Sequence, residues 1–204
     1  EAYEIRAVDW ALAAVREEAE VCPKSPAHSA MENRPPVMEN SFVRMEFAPD
    51  GTVASLYDKR TARELLPPGQ RGNQLNLYPD ELTHWDIQKE YLQAKPRQAR
   101  LTQMQLSCSG SCQRMELAFE TGENSRIRQT VVMEEHSARV ALRTWGDWQE
   151  EYQMLRVAWP VDTAAREAEC DIQFGHIGRP VNHNTSWDEA KFEVCAHKWV
   201  DLSE

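Results

Sequence analysis

Apolar and polar residues alternate with a period of two along most of the chain from Ser41 onward. Val43, Met45 and Phe47 alternate with polar residues, and the turn-forming stretch APDG separates them from the similar stretch TVASLY. A period of two predicts β-strands, and two such strands joined by a short turn predict a hairpin. The alternation recurs at Leu75 and Leu77, at Met104 and Leu106, at Met115, Leu117 and Phe119, at Ile127, Val131 and Met133, at Val140 and Leu142, and at Leu155, Val157 and Trp159. The pattern therefore predicts a mainly β fold of antiparallel strands, as a sandwich or a barrel.

The first part of the chain follows a helical period instead. Apolar residues recur there at spacings of three and four, from Ile5 to Ala19, with charged residues between them. This spacing predicts one amphipathic α-helix over residues 1–21, which Pro23 ends. Residues 22–40 are rich in proline and show no periodicity, which predicts a linker. A single apolar stripe on a helix needs a partner surface against which it is buried.

Charge and hydropathy exclude several classes of partner. The net charge is -10 and the sequence pI is about 5.2, whereas binding of nucleic acid requires a basic face. No apolar run approaches the roughly 20 residues that span a bilayer, and the first residues lack the pattern of a signal peptide. We therefore expect no nucleic-acid partner, no membrane partner and a cytoplasmic location.

Two stretches, residues 78–91 and 175–199, combine aromatic, histidine and acidic residues. His176 and His183 lie seven positions apart, with acidic residues nearby, but this spacing matches no compact zinc signature. Ser186 lacks the G-x-S-x-G elbow that presents a nucleophilic serine. Asp188 and the acid after it would point to opposite faces of a strand, which does not suit paired carboxylates. Neither a metal site nor a catalytic residue is therefore predicted here.

The composition of both stretches does suit contact with a sugar. Trp187 and Trp199 could stack on a pyranose ring, while neighbouring polar side chains donate to and accept from hydroxyl groups. The candidate substrate-binding residues are Arg179, His183, Asn184, Trp187 and Asp188, with Trp85 and Asp86 as a second contribution. The alternative is that both stretches are polar loops in which the aromatic residues only pack.

Long motifs in this chain resemble those of a known family. The stretch MENSFVRMEFAPDGTVASLYDKRTARELLPPGQRGNQLNLYPD, residues 38–80, resembles the opening of the C-terminal β-domain of glycoside hydrolase family 38 α-mannosidases. The stretches SRIRQTVVM, LRVAWPVD and IQFGHIGRPVNHNTSWDEAKFEVCAHKWVDLSE resemble the same family in the same order, closest to its cytosolic and bacterial branch. The resemblance covers about residues 38–204.

The resemblance implies a fold and a division of labour. It implies an antiparallel β-supersandwich, similar to galactose mutarotase, preceded here by the single amphipathic helix. The family's enzymes are retaining α-mannosidases whose zinc, nucleophile and acid/base carboxylate lie in an N-terminal α/β barrel. No barrel motif occurs in this sequence, so the resemblance implies no catalytic residue, no metal site and no cofactor in this chain.

The sequence also departs from the family pattern. The helix of residues 1–21 is interpreted as a remnant of the family's helical bundle, but the small β-domain expected after it is absent. Residues 41–204 are interpreted as a partial C-terminal β-sandwich domain, because the family continues with further strands beyond VDLSE. The Trp- and Asp-rich loop around HWDIQKEY is shorter than in the family. We therefore expect a fragment, or a degenerate gene product, of an α-mannosidase.

Three hypotheses about function remain open. The first is an accessory, substrate-facing domain of a retaining α-mannosidase, inactive alone, with an α-mannoside and the catalytic α/β-barrel domain of the same enzyme as its partners. The second is a stand-alone carbohydrate-binding or mutarotase-like module. The third is a non-catalytic structural or interaction fragment.

Overall fold

A computed structural model describes residues 35–80, 87–182 and 184–204 of the chain, together with the backbone of residues 4–6. These residues form two compact units, one drawn from residues 35–162 and the other from residues 4–6 and 163–204. The division falls inside the single domain predicted for residues 41–204. It arises because the strands after Thr163 pair with one another and with residues 4–6.

The larger unit contains three antiparallel sheets. The first has the strand order β2-β3-β4-β5, the second β11-β10-β9-β8 and the third β12-β6-β7. The strands are β2 (Val37–Glu39), β3 (Val43–Phe47), β4 (Val53–Asp58), β5 (Arg63–Glu64), β6 (Gln74–Pro79), β7 (Arg97–Gln98), β8 (Arg100–Ser109), β9 (Cys112–Thr121), β10 (Ser125–Glu134), β11 (Val140–Asp147) and β12 (Gln153–Ala158). A 3-10 helix, Lys89–Gln93, lies between β6 and β7.

The core of this unit consists of the inward positions of the alternating strands. Burial alternates strictly along β10, from Ser125 through Ile127 to Met133, and side chains between these positions are more exposed. The first two sheets, β6 and the loop after β5 supply the buried cluster, which comprises Met38, Val43, Met45, Phe47, Val53, Leu66, Leu75, Met115, Leu117, Phe119, Ile127, Val131 and Met133. Apolar side chains from facing sheets are thereby removed from water, as in a sandwich. The predicted mainly β, antiparallel fold is confirmed, and its finer identity as a supersandwich stays a prediction.

Besides Ser125 at its first residue, β10 has one polar residue at an inward position. The Gln129 side chain is 2% exposed, and it exchanges hydrogen bonds of 2.8 and 3.1 Å with the side chain of Asn73. Gln129 Nε2 also donates to Thr144 Oγ1 at 3.1 Å. Asn73 has a positive φ of 54°, which asparagine tolerates better than most residues. The buried amides are therefore paired, as polar groups in a core need to be.

The smaller unit is a four-stranded antiparallel sheet in the order β1-β15-β13-β14. Its strands are β1 (Glu4–Arg6), β13 (Glu167–Ile172), β14 (Gly175–Pro180) and β15 (Trp199–Asp201), and a short helix, α1 (Ser186–Ala190), lies between β14 and β15. Within the described ranges, no helix is long and apolar enough to cross a membrane.

Two element predictions need correction. Glu4–Arg6 form a strand paired with β15, not part of the helix predicted over residues 1–21, because the edge of β15 supplies backbone partners that helical periodicity does not reveal. The rest of that helix prediction lies outside the described residues. Val37–Glu39, at the end of the predicted linker over residues 22–40, pair with β3, because Met38 is fully buried. Residues 22–34 of the linker also lie outside the described part of the chain.

Candidate functional site

Four of the seven predicted substrate-binding residues have described side chains. Arg179, Asn184, Trp187 and Asp188 all belong to the smaller unit. The other three, His183, Trp85 and Asp86, lie outside the described residues.

Arg179 lies on β14, where its backbone pairs with Ala168 of β13. Its side chain is half-buried, and its Nη2 donates to the carbonyl oxygen of Cys195 at 3.2 Å. Its Nε is buried, and no hydrogen-bond partner for it lies among the described residues. A buried donor without a partner loses its solvation without compensation. Arg179 therefore ties the segment before β15 to β14 and holds one unsatisfied donor.

Trp187 and Asp188 lie on α1, which Thr185 caps. The Thr185 hydroxyl accepts from the backbone N–H of Asp188 at 3.2 Å, an N-cap of the usual kind. The same hydroxyl donates to Asp188 Oδ2 at 2.6 Å. The Trp187 side chain is 78% exposed. The helix therefore presents an indole to solvent, while the carboxylate beside it is partly engaged in the cap.

Asn184 is exposed. Among the described residues, no hydrogen bond of its side-chain amide is found. Together with Trp187 it offers a stacking surface and a hydrogen-bonding group three residues apart. This is the combination that a pyranose ring requires.

Trp199 has a different environment from Trp187. It is half-buried on β15, and its ring centroid lies 6.1 Å from that of His176 at a tilt of 41°. His176 Nε2 lies 3.8 Å from Glu169 Oε2. The proposed stacking role of Trp199 is therefore less favoured than that of Trp187, because part of its ring already packs against histidine.

The larger unit holds the described part of the second stretch, residues 78–80 and 87–91. Tyr78 packs edge-on against Tyr91, with ring centroids 5.1 Å apart. Tyr91 is buried, the Arg156 guanidinium lies 4.9 Å from its ring centroid, and Arg156 Nη1 donates to its hydroxyl. Tyr78 and Tyr91 therefore form a packed aromatic and arginine cluster, in agreement with the alternative in which these aromatics only pack.

Asp80 borders a surface cavity of about 340 Å³ that sequence reasoning missed. Its other lining residues are Glu151, Tyr152 and Gln153, and Tyr152 is exposed with a positive φ of 54°. The backbone N–H of Asp80 donates to the carbonyl of Tyr152 at 2.9 Å. The pairing of β6 with β12 creates this cavity. No local sequence signal connects residues some 70 positions apart.

A second cavity of about 340 Å³ is polar and includes Asp50, Thr52, Arg71, Gln74 and Gln98. Burial raises the pKa of Asp50, but the hydroxyl and N–H of Thr52 and the charge of Arg71 lower it, and the net pKa lies below the ordinary value. The Arg71 guanidinium donates to Asp50 Oδ2 at 2.7 Å. These contacts keep the Asp50 carboxylate ionised.

Glu64 and Glu150 also have lowered pKa values. Burial raises the pKa of Glu64, but hydrogen bonds from Ser55 and from the backbone around Leu56 and Leu66 lower it below its ordinary value. Hydrogen bonding from the N–H of Asn124 and from Ser125 lowers the pKa of Glu150. The pKa shifts of Asp50, Glu64 and Glu150 are therefore all downward, in the direction opposite to that expected of a general acid.

No metal site is formed by the side chains that the structure describes. Within residues 35–80, 87–182 and 184–204, no three His, Cys, Asp or Glu side chains are grouped so that they could hold an ion. Catalytic and structural zinc sites use at least three such protein ligands.

Comparison with known proteins connects these features to a family. The model of the glycosyl hydrolases family 38 C-terminal domain matches residues 38–204. The chain is 33% identical over 172 residues to alpha-mannosidase 2C1 of Homo sapiens, a match that covers 82% of this chain and 16% of the human protein. It is 34% identical over 177 residues to alpha-mannosidase G of Dictyostelium discoideum, again covering 82% of this chain and 16% of the relative. It is 30% identical over 171 residues to alpha-mannosidase of Saccharomyces cerevisiae, covering 76% of this chain and 16% of the yeast protein.

The chain thus spans about one sixth of the length of the curated relatives that it matches. The match of the family model extends from β2 to the last residue and includes α1 and both compact units. The chain belongs to glycosyl hydrolase family 38, of which residues 38–204 are a C-terminal domain.

Proposed function

We propose that this chain is the accessory, substrate-facing β-domain of a retaining α-mannosidase and acts together with a catalytic α/β-barrel domain of the same enzyme. The observation that carries the proposal is the family match over residues 38–204, shared with relatives named α-mannosidases. In this proposal the domain contacts an α-mannoside, and the bond chemistry takes place elsewhere in the enzyme.

The state of the described carboxylates supports an accessory role. Retaining glycosidases need a nucleophile and an acid/base residue about 5 Å apart, the latter with a raised pKa. Asp50, Glu64 and Glu150 have lowered pKa values, and each accepts hydrogen bonds that hold a turn or a strand end. These residues stabilise the fold in their ionised form and do not suit proton donation to a leaving group.

The segment of α1 supports the substrate-facing part of the proposal. Trp187 is exposed on a capped helix, and Asn184 before it is also exposed. Arg179, fixed by its bond to the Cys195 carbonyl, would supply donors to hydroxyl groups, and Asp188 would accept from them. His183, Trp85 and Asp86 remain part of the proposed contact set, zinc belongs to the catalytic domain, and the location remains cytoplasmic.

The experiment that tests the proposal compares two polypeptides. The chain alone and the product of the complete reading frame are each assayed for hydrolysis of 4-nitrophenyl α-mannoside, with and without added zinc. We expect turnover from the complete product and none from the chain alone. Steady turnover by the purified chain, or an inactive complete product, would contradict the proposal.

The exposure of Trp187 also favours the stand-alone carbohydrate-binding module as a second candidate. Titration of mannose into the isolated chain distinguishes the two. Binding by the chain, lost in Trp187→Ala, together with an inactive complete product, would favour the module over the accessory domain.

A further inference from the structure

The outer face of the sheet β11-β10-β9-β8 carries a surface that the proposed function does not use. Side chains alternate across this sheet, so that Ile127 and Val131 face the core while Arg126 and Arg128 face outward. Arg128 pairs in register with Trp145 of β11, and Arg126 pairs with Asp147. Side chains directly opposite on antiparallel strands share one face within about 5 Å. Trp145 therefore lies on the same outer face as these arginines.

Trp145 is a large aromatic side chain that the core does not use. Its side chain is 57% exposed, and that of the nearby Trp148 is 38% exposed. The guanidinium of Arg128 lies 5.7 Å from the Trp145 ring centroid, in the range of a cation-π contact. This contact orients the indole on the sheet while much of its surface remains accessible to a ligand.

The arginines around Trp145 lack acidic partners within the described ranges. No carboxylate described in the structure lies within 4.0 Å of the guanidinium nitrogens of Arg126, Arg128 or Arg143. Arg143 lies two positions before Trp145 on β11 and pairs with Thr130, so it shares the outer face. By contrast, the arginines on β8 and β9 of this sheet are paired, Arg100 with Glu120 and Arg114 with Glu116.

The charge at this end of the sheet is opposite to that of the whole chain. The net charge of the chain is -10, whereas three guanidinium groups surround Trp145. Two acidic side chains, Asp147 and Glu120, pair in register with Arg126. Glu120 is ion-paired to Arg100, and Asp147 Oδ1 accepts from Gln149 at 2.8 Å. An aromatic surface flanked by planar cationic donors complements a ring that carries an anionic substituent.

We propose that Trp145, Arg126, Arg128 and Arg143 form a binding platform for an anionic saccharide. Trp145 stacks on the pyranose ring, and the guanidinium groups bind a phosphate or carboxylate substituent through charge-assisted hydrogen bonds. The platform lies on the larger unit and uses none of the seven residues predicted from the sequence to contact substrate. It is a separate saccharide site, and its existence does not depend on α-mannosidase activity.

Calorimetric titration of the full chain tests this proposal. The probes are mannose 6-phosphate and glucuronate as anionic saccharides, with mannose and inorganic phosphate as references. We expect at least one anionic saccharide to bind about tenfold or more tightly than either reference, because ring and anion contribute together. We also expect its affinity to fall as salt screens the charges.

Substitutions at the platform complete the test. Trp145→Ala should weaken binding about threefold to tenfold, from the loss of stacking. Arg143→Gln should weaken it about tenfold or more, from the loss of a charge-assisted bond. Arg100→Gln, which removes an arginine already paired with Glu120, should leave the affinity unchanged. Circular dichroism checks that each variant is folded.

Several results would overturn the platform. If the chain binds neither anionic saccharide up to millimolar concentration, the proposal is wrong. Equal affinity for inorganic phosphate would reduce the surface to an anion site, and equal affinity for mannose would remove the role of the arginines. Unchanged binding in both Trp145→Ala and Arg143→Gln would place the ligand elsewhere. A lost site in Trp187→Ala alone would instead assign the ligand to the α1 segment.

Discussion

Single residues with unusual backbone geometry make the fold sensitive to small changes. Gly122 lies in the turn between β9 and β10 with a φ of 65°, and the carboxylate of Glu150 covers it. Glu150 Oε1 accepts from the N–H groups of Glu123, Asn124 and Ser125 at 3.0, 2.9 and 3.2 Å. A side chain at position 122 would therefore strain the backbone and displace the carboxylate that holds the turn.

Gly122→Ala tests this arrangement against a matched control. A Cβ at Gly122 would lie 2.0 Å from the Glu150 carboxyl carbon, whereas a Cβ at Gly110, with a φ of 57°, would meet nothing within 4 Å. Gly110→Ala should cost about 1–2 kcal/mol, from backbone strain alone. Gly122→Ala should cost more, because the hydrogen bonds to Glu150 are lost as well. Urea denaturation measures both, and equal losses of stability would contradict the role of Glu150.

At the scale of elements, Glu64 connects the short strand β5 to β4. Its Oε1 accepts from the N–H groups of Leu56, Leu65 and Leu66 at 2.8, 3.0 and 3.1 Å. Its Oε2 accepts from the Ser55 hydroxyl at 2.5 Å. β5 has only two residues, so this carboxylate supplies a large share of the bonds that hold the strand to the sheet.

The pH dependence of stability follows from these bonds. Burial raises the pKa of Glu64, but the hydrogen bonds lower it by more, so the pKa in the folded state lies below the ordinary value of 4.5. A depressed pKa contributes stability that is present above 4.5 and is lost as the pH falls through the folded-state pKa. Glu64→Gln should therefore lower the urea midpoint at pH 7 and reduce its decline in acid.

Glu123→Gln is the control for this prediction. It removes one negative charge from an exposed position without removing a carboxylate that accepts backbone bonds between β4 and β5. Its urea midpoint should follow that of the unsubstituted protein at every pH. If Glu64→Gln and Glu123→Gln gave the same pH profile, the stabilising role of Glu64 would be wrong.

The sequence predicted well the strands in which buried and exposed side chains alternate regularly. β3, β9 and β10 have apolar side chains at alternate positions, and these positions are buried. The strand Glu4–Arg6 was not predicted. It pairs with β15, almost 200 positions away along the chain, and a local sequence pattern cannot indicate so distant a contact. Gln129 was not predicted as a core residue because its burial depends on a partner, Asn73, in a distant segment.

The candidate site was predictable only in part, for the same reason. The composition around residues 175–199 indicated exposed Trp187, and the structure exposes it. The composition did not distinguish exposed Trp187 from Trp199, whose ring packs near His176. It also did not show that Tyr78 packs against Tyr91 instead of facing a sugar. The platform around Trp145 was missed because its arginines come from two strands and their common face depends on register.

At the scale of the whole molecule, one group of residues stabilises the fold and another is proposed to contact substrate. The described carboxylates with shifted pKa values are ionised and hold turns, whereas the exposed groups on α1 suit hydrogen bonding and stacking with a sugar. The chain spans about one sixth of the length of its named relatives. In the proposed function, the chain binds and orients substrate for α-mannoside hydrolysis. This proposal and a purely structural role differ in the effect that they predict for a substitution at Trp187.

The most direct test is the kinetics of α-mannoside hydrolysis by the product of the complete reading frame with Trp187→Ala. Phe174→Ala is the control, because Phe174 is a fully exposed aromatic residue at the β13–β14 turn of the same unit. We expect Trp187→Ala to raise KM about threefold to tenfold, with kcat little changed, because stacking on the sugar is lost. Phe174→Ala should leave both constants unchanged. Unchanged kinetics in Trp187→Ala, or an equal loss in both variants, would contradict a substrate-facing role for this domain.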